Sequence, residues 1–379
     1  MITVPRSRLF PPAVWSAVLV VTALLALLPI LNLLFEPGSP LHVSAYVISL
    51  IGKFMCYAIA ALALDLVWGY AGILSLGHGL FFALGGYAHG MYLMRAIGRE
   101  GVYQSDLPDF MVFLDWKAYP WYWSFTDSWL YCMLLVVLVP GVLAFVFGFF
   151  AFRSRIKGVY FSIITQAMTF AAMLLFFRND TGFGGNNGFT DFKRILGFTI
   201  TAPGTKAALY LVTLALLFGA LLLARALTTS KLGRVLTGIR DAESRLMFVG
   251  YDPLWFKLFI WTLSAVLCGI AGALYVPQVG IINPGEMSPA NSIEMVIWVA
   301  TGGRGSLLGP ILGAFTVNGL KTWLTSAAPE FWLYALGLIF VLVTLFLPQG
   351  LIGVVRQVID RLRARKALAG GAVAQREAA

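Results

Sequence analysis

Long apolar runs recur along this chain, and most approach the roughly 20 residues a helix needs to cross a lipid bilayer. They lie near residues 14–34, 44–67, 74–94, 129–152, 160–177, 207–226, 258–279, 293–301, 309–325 and 332–347. In lipid every backbone N–H and C=O must be satisfied without water, which leaves helices and closed barrels, and runs of this length read as helices. The expected fold is therefore an all-α integral membrane protein, a polytopic bundle of about 10 transmembrane helices with discontinuous Gly-rich segments. Composition agrees, because 12% of the 379 residues are charged against about 25% in a soluble domain. The run 293–301 is too short to cross alone. It reads as a half-helix meeting the loop 302–309 inside the membrane, where irregular backbone is tolerated only beside protein or a watery cavity. The first run follows basic residues but lacks a small-residue cleavage site, so it reads as a span rather than a removed signal peptide.

A net charge of +10 could point to nucleic acid, but the basic residues follow a topological rule instead. With ten crossings both termini share one side. Placing that side in the cytoplasm gives 18 Lys and Arg inside and 7 outside, with Lys53 and Lys321 near span ends. This is the positive-inside pattern, and it places the segment 230–252 in the cytoplasm. Residues 1–352 then form the membrane domain, with a cytoplasmic loop at 227–257 and a basic tail at 353–379. Within the tail, 356–366 is suited to anionic lipid and 367–379 reads as disordered.

The cytoplasmic loop is the most polar stretch, K-L-G-R-V-L-T-G-I-R-D-A-E-S-R-L-M-F-V-G-Y-D-P. Ile239, Ala242, Leu246 and Val249 fall on one stripe of a short helix. Gly238 precedes it, Gly250 stands where a C-terminal cap belongs, and Pro253 stops continuation. Asp241 and Arg245 form an i,i+4 pair on the solvent side. Such a helix either docks a partner or lies on the bilayer surface.

Chemistry of catalysis finds little support. No phosphate-binding loop, zinc-protease motif or nucleophile elbow occurs, and His42, His78 and His89 have no carboxylate nearby in sequence. Cys56, Cys132 and Cys268 are single and far apart, without a disulfide or metal framework. Charges in mid-span are few: Asp65 sits near an inner end, Glu294 near an outer end, and Lys53 and Lys321 can snorkel. That scarcity weighs against an ion-coupled carrier. Outside, the segment 95–128 is aromatic and acidic, and Trp116, Trp121 and Trp123 suit the headgroup belt better than a docking surface. The segment 178–206 carries G-F-G-G-N-N-G-F, a loop with Asn186 and Asn187 able to bring backbone amides close to a ligand. Two Gly-rich interruptions, 69–87 and 301–314, fit either small-residue helix packing or discontinuous helices beside a pathway.

Together these motifs resemble one family. G-Y-A-G-I-L-S-L-G-H (69–78), G-I-R-D-A-E-S-R-L-M-F-V-G (238–250), L-S-A-V-L-C-G-I-A-G-A-L-Y (263–275) and G-G-R-G-S-L-L-G-P-I-L-G-A (302–314) are similar, in order, to permease subunits of bacterial ATP-binding cassette importers for branched-chain amino acids and urea. The segment 179–192 and the run A-L-D-L-V-W-G-Y look closer to the urea and short-chain amide branch. The resemblance implies an inner-membrane heterodimer with a second homologous permease, two cytoplasmic ATPases that bind ATP and Mg, and a periplasmic substrate-binding protein. No cofactor on this chain itself and no nucleic acid are expected. It implies that 238–250 is a coupling helix, with Arg240, Asp241, Glu243, Arg245 and Gly250 as its key residues. The family pattern prefers small residues where this chain has Ser244, Arg245 and Leu246. Ser75, His78, Thr165, Gln166 and Asn318 are the expected pathway groups, since a small neutral polar solute needs donors and acceptors without fixed charge. A branched-chain amino acid is the alternative cargo. An ion-coupled carrier or a passive channel for small polar solutes is the alternative of another class.

Overall fold

The computed structural model describes residues 11–36, 38–346, 349–355 and 357. Its long helices are α1 (Pro12–Leu34), α2 (Ala45–Asp65, extended by a π-helical turn Leu66–Tyr70), α3 (His78–Arg95), α5 (Trp129–Arg153), α6 (Val159–Phe177), α7 (Pro203–Thr229), α8 (Lys231–Phe248), α9 (Pro253–Val279), α10 (Pro289–Gly302), α11 (Leu308–Ala327) and α12 (Trp332–Phe346). A short α4 (Asp109–Phe113) lies in the loop after α3. Several starts are written locally. Ser44 and Ser128 cap the first turns of α2 and α5 through their hydroxyls, and the Asp252 carboxylate and Ser288 hydroxyl cap α9 and α10 just before Pro253 and Pro289. Such caps satisfy N–H groups a helix end leaves unpaired, and proline at the first position gives up an N–H that has no helical partner.

Among the described residues, six helices are long and apolar enough to cross a membrane: α1, α2 with its extension, α5, α6, α7 and α9. The other four expected crossings are helices too, but α3, α10, α11 and α12 fall short in length or apolarity, so ten full crossings do not emerge. The reason is visible at α3. The expected run from residue 74 becomes helical only at His78, and residues 72–77 are irregular.

α2 and α9 form the buried axis, whereas α1, α5 and α6 present mostly apolar outer faces. α3 packs on α9 almost backbone to backbone. A β-carbon on Gly85 would strike the Gly269 carbonyl, and one on Gly272 would strike that of Phe82. Small-residue packing therefore explains the later glycines of the 69–87 cluster.

Two short pairings tie the loops opposite α8, in β1 (Phe189–Thr190), β2 (Arg194–Ile195), β3 (Phe198–Thr199) and β4 (Ile281–Ile282): β1 runs antiparallel to β4, and β2 to β3. The α5–α6 turn with Lys157, the helix α8 and the α10–α11 turn with Arg304 meet at the other end of the bundle. Arg6, Arg8 and the tail from residue 358 lie outside the described residues.

Candidate functional site

The α8 segment differs from the expected helix. Ser230 caps it through a bond from the Leu232 N–H, so the helix begins eight residues before Ile239 and contains Gly238 rather than following it. It breaks at Ala242, whose φ of −158° and ψ of 68° are not helical. The buried residues are Gly233, Leu236 and Ile239, while Val249 is exposed. Beyond the break the chain folds back, and Leu246 lies against Gly238, where a β-carbon would come within 2.8 Å of its Cδ1. This contact gives the Leu246 departure from the family pattern a place. Gly250 does end the segment in the left-handed region, at φ 90°, as a C-terminal cap requires.

The break also separates Asp241 from Arg245. Asp241 pairs instead with its neighbour Arg240 at 2.8 Å, and that hydrogen bond holds its carboxyl below the ordinary aspartate range. The Arg240 Nη1 donates to the Gly69 carbonyl at 2.7 Å, which ties α8 to the π-helical end of α2. Glu243 lies between Lys257 (2.6 Å) and Lys157 (2.8 Å). Burial would raise its carboxyl, but hydrogen bonds and charge from the two lysines outweigh that and hold it below the usual glutamate range. Arg240 and Glu243 therefore face the bundle. Arg245 is exposed, and Phe248 and Val249, 92% and 75% accessible, form an apolar tip beside Met247.

Arg240 leads into the irregular stretch 72–77. Asp65, fully buried at the end of α2, accepts the Gly305 N–H at 2.7 Å from the α10–α11 turn, and Arg304 lies 5.3 Å from the Trp68 ring centre. A β-carbon on Gly69 would sit 2.6 Å from the Gly305 nitrogen, so α8, α2 and this turn interlock. The stretch itself is held by α6: Ser162 donates to the Leu74 carbonyl (2.8 Å), and Thr165 accepts the Leu76 N–H (3.1 Å). Ser75 accepts the Gly77 N–H and meets His78 Nδ1, each at 3.1 Å, while His78 Nε2 meets Ser264 at 2.8 Å. Because the Ser264 hydroxyl donates to the Ala63 carbonyl at 2.5 Å, the bonding pattern assigns the histidine proton to Nε2. Ser75, His78 and Thr165 thus form one neutral group at a helix start buried in the bundle. Gln166 is half-buried and joins none of these bonds. Asn318 does not belong to the group: it lies on α11 and bonds the Ala314 carbonyl of its own helix at 2.8 Å.

The half-helix expected at 293–301 has its buried break at the opposite end: the loop 302–309 packs on Asp65 and Gly69 at the α8 end, and it is the start of α10 that lies inside the bundle. Between α9 and α10 the segment 280–288 runs back into the bundle, and Ser292 accepts the Gly79 N–H at 3.2 Å. Both α3 and α10 therefore start inside the protein, side by side. The signal was present in N-P-G-E-M-S-P (283–289), a cluster of turn-forming residues. This segment brings Glu286 to Tyr275 (3.1 Å), and Glu294 pairs with Lys321 at 2.8 Å. Lys53 lies over the rings of Tyr57 and Tyr275, at 5.6 and 5.9 Å. Of the lysines expected to snorkel, Lys321 thus pairs with a carboxylate from another helix, and Lys53 rests on two tyrosine faces.

The loops opposite α8 form a cap. Trp123 is buried and donates to the Gly182 carbonyl at 2.9 Å, so it fastens the 96–128 loop to the Gly-rich loop instead of serving a headgroup belt; Trp121 is exposed. Asn186 and Asn187 are exposed at the tip of the Gly-rich loop.

Residues 46–346 match the family described as branched-chain amino acid transport system / permease component. The chain belongs to that family. Among this permease's curated relatives, the high-affinity branched-chain amino acid transport system permease proteins LivM of Salmonella typhimurium and Escherichia coli are each 26% identical, over 84% of this chain and 72% of theirs. A probable branched-chain amino acid transport permease protein LivM of Methanocaldococcus jannaschii is also 26% identical, over 69% of this chain and 76% of its own. No solved structure matches. The permease is a multi-pass membrane protein, and the resemblance to permease subunits of ATP-binding cassette importers holds at the level of the family.

Proposed function

We propose that this chain is one of two homologous permease subunits in an importer driven by two cytoplasmic ATPases, which bind ATP and Mg, and supplied by a periplasmic binding protein. Its cargo is urea or a short-chain amide. The observation that carries the reading is the linkage from α8 through Arg240 to Gly69. It joins a loop with an exposed apolar tip to the interrupted helices of the bundle. In this mechanism the tip around Phe248 and Val249 sits on an ATPase in the cytoplasm. Nucleotide-driven closure moves α8, and Arg240 and Glu243 pass that motion to the 72–77 stretch and the starts of α3 and α6.

The neutral group of Ser75, His78 and Thr165 supports a small uncharged solute, as do the motifs that resemble the urea branch. A branched-chain amino acid is the second reading. It is favoured by the names of the curated relatives and by the charged side chains around Tyr57. Purified complex in vesicles decides between them. Uptake of labelled urea that requires ATP and resists excess leucine supports the first cargo; uptake of labelled leucine that urea does not inhibit supports the second. Uptake of either solute by this chain alone, without ATP, contradicts the importer reading.

A further inference from the structure

Ionisable groups at membrane depth are expensive, about 2.5–3.5 kcal/mol each on insertion scales, and those that remain usually line a cavity or a path. Four stand together here. Lys53 lies twelve residues before Asp65 on α2, or about 18 Å along the axis at 1.5 Å per residue, well away from the α8 end. Glu286 comes from the segment that re-enters the bundle, and its backbone carbonyl sits 3.0 Å from where a Gly79 β-carbon would be. Glu294 and Lys321 complete the set.

The partners are unevenly shared. Lys321 and Glu294 satisfy each other, whereas Lys53 has no ion pair among the described residues and rests on two aromatic faces. Glu286 takes a hydrogen bond from the Tyr275 hydroxyl and a long one, 3.5 Å, from Asn291, which leaves acceptor capacity on its carboxylate. Trp298 packs on Tyr57 with ring centres 4.7 Å apart and planes tilted by 35°, and its buried indole N–H has no partner among the described residues. Lys53, Tyr57 and Glu286 are each only partly buried. A charged, partly open patch at this depth does not suit lipid, so it faces either the route of the solute or water within it.

We propose that Lys53, Glu286, Tyr57, Tyr275 and Trp298 form the outer solute-recognition site of the permease, one that takes a small molecule presenting N–H donors beside a carbonyl or carboxylate oxygen. Glu286 receives the N–H groups, Lys53 and the Trp298 N–H donate to the oxygen, and the tyrosine rings wall the sides. A planar amide and the head of an amino acid share this chemistry. The site lies beside the buried starts of α3 and α10, above the neutral Ser75–His78 group, so the solute meets it first when it comes from the cap side. The proposal rests on the permease reading.

The test uses the complete importer in vesicles, with its binding protein, comparing the natural protein with Lys53→Met and Glu286→Gln. Uptake is measured for labelled urea and labelled leucine in parallel, with binding-protein-stimulated ATPase activity and thermal stability of each variant. The expected result is a tenfold or greater loss of uptake of whichever solute is carried, with ATPase activity within twofold and stability unchanged. Which label responds identifies the source of the shared chemistry. Uptake within twofold of the natural protein in both variants overturns the site. So does a parallel fall of uptake, ATPase activity and stability, which marks the cluster as structural. ATP-independent uptake by the natural protein would refute the importer reading separately, and the two variants would still report on the route.

Discussion

Replacing Glu243 with glutamine removes the carboxylate that holds both Lys157 and Lys257. The two contacts differ in weight. The Lys157 side chain is 53% exposed, and an exposed pair contributes about 0–1 kcal/mol. The Lys257 side chain is 10% exposed, which approaches the buried pairs whose disruption costs about 3–5 kcal/mol. Glutamine keeps one hydrogen bond, so a loss of about 2–3 kcal/mol in the docking of α8 is expected, or roughly 30- to 160-fold in the ratio of docked to free loop. Hydrogen exchange of the amides of α8 should rise accordingly, while amides of α9 beyond its first turns stay protected. Transport and stimulated ATPase activity should fall together, with the complex still inserted in the membrane. Adding Lys257→Met should recover part of the loss, because the unpaired buried ammonium is then gone. Unchanged exchange in Glu243→Gln, or a double variant worse than the sum of the single ones, would refute this account of the loop.

Acidification probes the same pair. The folded Glu243 carboxyl lies below its ordinary range, so its contribution is present above the unfolded value and disappears as pH falls through the folded one. Loop exchange, corrected for the intrinsic pH effect, should therefore rise only in the acid range, and a rise near neutrality would contradict the assignment. Asp65→Leu strands the Gly305 N–H and should cost about 1–3 kcal/mol, whereas Asp65→Asn keeps an acceptor and should cost less; thermal unfolding in detergent ranks the two. Gly272→Leu forces a side chain into the Phe82 carbonyl. It should lower stability by at least the 1–3 kcal/mol typical of overpacking, read as loss of monodisperse protein.

Much of this architecture was legible because bilayer thickness and helix length are linked, so the runs at 14–34, 129–152 and 207–226 announced α1, α5 and α7. Breaks inside the bundle were harder to see. Residues 74–77 are as apolar as the helix that follows, and what holds them irregular is hydrogen bonding of the Leu74 carbonyl with Ser162 and of the Leu76 N–H with Thr165, 88 and 89 positions away. The Asp241–Arg245 pair failed for a comparable reason: a heptad-like stripe ignores a kink at Ala242 stabilised by contacts of Arg240 and Glu243 with other helices. Ser75, His78 and Thr165 lie around one helix break, as short polar side chains beside glycine suit such a break. Asn318 lies apart from them, because asparagine in a helix can satisfy itself on its own backbone. The meeting of Lys53 and Glu286 at Tyr275 spans more than two hundred residues and left no local pattern; only the turn formers of 283–289 hinted at it.

The central claim is that an ATPase grips the tip of α8. The three native cysteines, Cys56, Cys132 and Cys268, are buried, so a single cysteine placed at Val249 gives a clean probe in the assembled importer. The account predicts that a short bifunctional thiol reagent crosslinks it to the ATPase subunit, and that an impermeant thiol reagent added outside intact cells fails to label it. Labelling from outside with no crosslink to the ATPase would contradict the account.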